Sequence, residues 1–129
     1  MKLFLILLGF LLSTCYADYS KAQIKIIFDT AKVCIEELNI PDDIVERSMY
    51  NRDITEKDMP FVVCMMKKMN MIDAQENYLV SNMVDFMAMN YDRAVQQRIM
   101  SKCTKQEGTL LERTWKLYQC YFTDKELKL

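Results

Sequence analysis

Along most of the chain, apolar residues recur at steps of three and four, the period of an α-helix. Between Ser20 and Asn39 they fall at Ile24, Ile27, Phe28, Ala31, Cys34, Ile35 and Leu38, which predicts one amphipathic helix. Ser20 with Gln23 offers a capping box at its start. Pro41 stops this helix and opens a short second one, with Asp42 and Asp43 in its first turn and its end near Tyr50. Thr55 with Asp58 caps a third helix, in which Phe61, Cys64, Met65, Met69 and Ile72 form the apolar side and Lys67 and Lys68 face water. Pro60 must lie in its first turn, since deeper in the helix it would break the hydrogen-bond ladder. The polar stretch Asp73 to Tyr78 reads as a loop.

A fourth helix covers Leu79 to Met89, marked by Met83, Phe86 and Met87. A fifth runs from Tyr91 to Lys105, with Ala94, Val95, Ile99 and Cys103 on one face, and Gly108 ends it or the turn after it. Thr109 and Glu112 form a capping box for the sixth. Leu110, Leu111, Trp115, Leu117, Tyr118, Tyr121 and Phe122 are apolar around more than half of that helix, which predicts a central position. Asp124 to Leu129 reads as a tail. The fold class expected is all-α, a compact set of six helices.

The first residues change this picture. Lys2 followed by the apolar run Leu3 to Leu12 is too short for a membrane span, and Cys15 and Ala17 suit the positions before a signal-peptidase cut. Residues 1–17 are therefore expected to be a secretory signal, and 18–129 one extracellular helical domain. No later segment is apolar for long enough to span a membrane.

Composition excludes more than it suggests. The chain has no histidine and a formal net charge of -1. Histidine-based catalysis, histidine metal sites and the usual imidazole pH switch are ruled out. No basic patch points to nucleic acid. Only Gly9 and Gly108 are glycines, too few for a phosphate-cradling loop. The adjacent carboxylates Glu36-Glu37 and Asp42-Asp43 point in different directions on a helix and do not converge on a substrate. No enzyme activity, cofactor or metal is expected.

Five cysteines become four when Cys15 leaves with the signal. Cys34, Cys64, Cys103 and Cys120 then read as two disulfides with three possible connectivities, and their spacing does not suit zinc. A local pairing would contribute roughly 3 to 4 kcal/mol per loop in the chain-entropy model.

Six short helices, a secretion signal and this cysteine order resemble the insect odorant-binding proteins, the pheromone and general odorant-binding family. The family has six cysteines. Its second lies four residues before its third, and its fifth nine before its sixth. Cys64 matches the third and Cys120 the sixth, so the missing positions fall at Pro60 and Leu111. Those two are partners in the family, and their joint absence resembles its four-cysteine, minus-C subgroup. The stretch Met59 to Asp73 also resembles the family's third helix and following loop.

The resemblance implies Cys34–Cys64 and Cys103–Cys120, and a helical shell around one apolar cavity. It also implies that the third and sixth helices, lacking their bridge, leave that cavity adaptable. The function implied is an extracellular carrier of odorants, pheromones or related lipids. A carrier of a non-olfactory hydrophobic metabolite on the same fold is the first alternative, and a helical signalling or structural protein with a solid core the second. The partners expected are a small hydrophobic ligand and, as a candidate, a chemosensory receptor, with the chain a monomer or weak homodimer. Eleven methionines are an unusual load, and flexible, polarizable thioethers suit a site that accepts several shapes. The candidate lining is Ile27, Phe61, Met65, Met69, Met83, Phe86, Met87, Ile99, Leu111, Trp115, Tyr118 and Phe122. Tyr118 and Tyr121 carry hydroxyls that can meet either a ligand oxygen or a backbone carbonyl, and Leu127 and Leu129 could let the tail fold over the cavity mouth.

Overall fold

The computed structural model describes residues 21–48, 53–89 and 92–126. The expected signal, the Ser20 cap, Tyr50, Tyr91, Leu127 and Leu129 lie outside the described residues. Among the described residues six α-helices follow one another: α1 (Lys21–Leu38), α2 (Asp43–Glu46), α3 (Met59–Lys68), α4 (Val80–Met87), α5 (Arg93–Cys103) and α6 (Leu110–Phe122). A 3₁₀ turn, Glu56–Asp58, leads into α3. There is no strand among the described residues, only an isolated bridge between Ile72 and Tyr78 that closes the loop before α4.

Helix ends follow from local chemistry. Asn39 takes a left-handed φ of 51°, and Ile40 N–H reaches back to the Ile35 carbonyl, so α1 stops before Pro41 is reached. Asn70, with φ 60°, ends α3 in the same way, and Met71 N–H bonds the Met66 carbonyl. Pro60 lies in the first turn of α3, where no intrahelical N–H is lost. Asp92 caps α5 by accepting from Val95 N–H, and Thr109 and Glu112 cap α6 reciprocally. Gly108 serves the turn before α6 rather than the end of α5. Its φ is +116°, and a Cβ there would sit 3.2 Å from that of Glu112.

α3 packs against both α1 and α6, α5 packs against α4 and α6, and two apolar clusters result. One gathers Val63, Met66, Met71, Ile72, Met83, Val84, Ile99, Met100, Leu110, Leu117 and Tyr121. The other gathers Ala31, Cys34, Ile44, Ile54, Met59 and Phe61, with Trp115 and Tyr118 packed against it. α3 supplies residues to both, so it shares the central position that the sequence suggests for α6 alone. The Cys34–Cys64 disulfide joins α1 to α3 with its Cα atoms 5.9 Å apart, and Cys103–Cys120 joins α5 to α6 at 5.5 Å.

One expectation needs correction. The buried face of α5 is Gln96, Ile99, Met100 and Cys103, while Ala94 is exposed. Gln96 tolerates burial because its Oε1 accepts the Tyr121 hydroxyl at 2.9 Å. Gln23 is buried, and its amide donates to the Phe86 carbonyl in the last turn of α4, a group that the helix itself leaves short of donors.

Candidate ligand-binding pocket

Four helices converge on an apolar pocket of about 140 Å³. α3 brings Val62 and Met66, the turn after it Met71, α4 Met83 and Met87, and α5 Met100. α6 brings Thr114, Leu117, Tyr118, Tyr121 and Phe122, a stripe at steps of three, one, three and one that is one helical face. Five of the eleven lining residues are methionine, and none carries a charge. An unbranched thioether has three rotatable bonds, so these walls can change shape at little cost.

Tyr118, Tyr121 and Phe122 form the aromatic part of the wall, and Trp115 extends their ladder along α6 beyond it. Trp115 stacks on Tyr118 with centroids 5.9 Å apart, Tyr118 meets Phe122 at 4.7 Å, and Tyr121 meets Phe122 edge-on at 5.0 Å. The polar points are few. Thr114 Oγ1 shares a hydrogen bond of 2.7 Å with the Tyr78 hydroxyl. Burial pushes that phenol above its ordinary pKa, so it stays neutral. The Arg113 guanidinium lies over the Tyr78 ring at 5.4 Å and donates to the Glu76 carbonyl, which fastens the loop to α6. The lining residue Tyr121 carries another polar point, its hydroxyl bonded to Gln96.

Of the candidate lining residues, Met83, Met87, Tyr118 and Phe122 meet in this pocket. Ile99, Met69 and Phe86 belong to the surrounding core cluster without facing the pocket. Met65 and Trp115 pack against the other cluster. Phe61 is buried in that cluster and borders a separate surface cleft of about 410 Å³, rimmed by Arg47, Lys57 and Asp58. Ile27 is half-buried on α1, and Leu111 is 44% exposed. Sequence reasoning left Val62, Met66, Met71, Met100, Thr114 and Leu117 off the candidate list. The α6 members were legible from the periodicity of 114, 117, 118, 121 and 122. Met71 and Met100 were not, because a long-range contact rather than a local stripe puts them there.

Among the described residues, no group of histidine, cysteine or carboxylate side chains could hold a metal ion, and no helix is long and apolar enough to cross a membrane. No curated protein and no solved structure matches the chain. Residues 16–124 match the PBP/GOBP family, the insect pheromone- and odorant-binding proteins. With that match spanning all six helices and both disulfides, the chain belongs to the PBP/GOBP family, whose members are secreted carriers of small hydrophobic ligands.

Proposed function

We propose that this chain is an extracellular carrier that binds an odorant, a pheromone or a related small lipid in the pocket between α3, α4, α5 and α6. The observation that carries this reading is the uncharged, methionine-rich wall, inside a fold whose family carries apolar molecules. A carrier needs a mostly apolar enclosure and a few polar groups to orient its guest, and the pocket has both. At about 140 Å³ it compares with protein cavities of about 150 Å³ that take up a benzene ring. Larger ligands enter by rotation of the methionines. In this reading residues 1–17 act as the signal that exports the domain, and the four-cysteine framework supports membership of the family's minus-C subgroup. The role proposed is binding rather than chemistry, as the family's carriers suggest.

Displacement of a fluorescent apolar probe from the mature protein tests this. The expected outcome is saturable, one-to-one binding at micromolar probe, reversed by small volatile or lipid-like competitors. Absence of binding at micromolar probe would overturn the carrier reading.

A further inference from the structure

Gln96 has no exposed surface, yet its Nε2 has no hydrogen-bond partner among the described residues. An unpaired amide N–H in a core costs about 1 to 3 kcal/mol, so such a group calls for an explanation. Its orientation is set by a neighbour. The Tyr121 hydroxyl donates to Gln96 Oε1 at 2.9 Å, which turns the two Nε2 protons away from that bond. Tyr121 itself lines the pocket, and so does Met100, one turn beyond Gln96 on the same face of α5. The amide thus lies beside two pocket-lining residues, its bonded neighbour Tyr121 and Met100 on the next turn, and Met100 is a flexible thioether that a guest can displace.

We propose that Gln96 Nε2 is a hydrogen-bond donor for the ligand, and that the pocket therefore selects small apolar molecules bearing one acceptor oxygen, such as an aldehyde, ketone or ester carbonyl. This rests on the carrier reading and narrows it. A saturated hydrocarbon of the same size leaves the amide unpaired, whereas a carbonyl oxygen satisfies it. Discrimination comes from the polar group and affinity from the methionines and aromatic rings. The Thr114 and Tyr78 hydroxyls, by contrast, bond each other.

The test compares benzaldehyde with toluene as competitors for the apolar probe on wild-type mature protein, Gln96→Leu and the double variant Gln96→Leu with Tyr121→Phe. The double variant removes both halves of the polar pair and leaves an apolar wall, so it keeps a folded control if the single variant strands the tyrosine hydroxyl. Wild type should bind benzaldehyde roughly tenfold more tightly than toluene. Whichever variants fold, by their melting transitions and intact disulfides, should bind toluene at least as well as wild type and lose that preference. Equal wild-type affinity for the two ligands, or a preference that survives Gln96→Leu or the double variant, would overturn the inference while leaving the carrier reading intact. Failure of wild type to bind the probe or either ligand would overturn both.

Discussion

Arg47 holds Asp58 through two hydrogen bonds of 2.9 and 3.1 Å, and Asp58 also accepts from the Thr55 backbone N–H. The pair ties the end of α2 to the start of α3. The hydrogen bond from Arg47 keeps the Asp58 carboxyl below its ordinary pKa, and Lys102 does the same for Asp124 at the end of α6. A carboxylate whose pKa is lower folded than unfolded adds stability above the unfolded value, and that stability is lost as pH falls through the folded value. With no histidine in the chain, no side chain of ordinary pKa titrates between about pH 5 and 8. The melting temperature and the ligand affinity should therefore be nearly flat over that range, and the melting temperature should fall below about pH 4. Asp58→Ala should cost about 1 to 2 kcal/mol in denaturant unfolding at neutral pH and make the acid loss shallower. A steep change of affinity between pH 5 and 8 would count against this.

At the scale of the elements, most boundaries were legible because short-range chemistry sets them. Thr109 and Glu112 cap α6 as their spacing requires, Pro60 sits where proline is tolerated, and Asp73 to Tyr78 is a loop. Faces were harder to read. Gln23 and Gln96 look like solvent positions in a local pattern, yet each is buried and bonds a partner 63 or 25 residues away. Long-range hydrogen bonding leaves no trace in periodicity, and this is why the α5 face and part of the pocket were missed. The cysteine framework was legible only through its family resemblance, since three pairings suit the count equally. Pro60 and Leu111 each lie in the first turn of their helix, on α3 and α6, which pack together. Pro60→Cys with Leu111→Cys should form a third disulfide under oxidation, visible as the loss of two hydrogen atoms in the intact mass. It should raise stability by about 2 to 4 kcal/mol in the chain-entropy model. Free thiols at both positions after oxidation would show that the geometry does not allow the bridge.

For the whole molecule, the decisive feature is how its covalent ties are distributed. One disulfide couples α1 with α3 and the other couples α5 with α6. Across the pocket, α3 and α6 are held to each other by packing alone among the described residues. Cores resist volume changes when their walls are branched and fixed, whereas this one is walled by five thioethers and three aromatic rings. The account is thus of two stapled halves closing on an adaptable apolar pocket. Its central claim, that this pocket is where ligand binds, is tested most directly by titrating the fluorescent apolar probe into wild-type protein and a Met87→Trp variant. Met87 lines the pocket but is only partly buried, so the larger ring can occupy the space without overfilling the deepest core. Saturable one-to-one binding in wild type, weakened at least tenfold in a folded Met87→Trp variant, is the predicted result. Equal binding by the two proteins would place the ligand elsewhere and contradict the account.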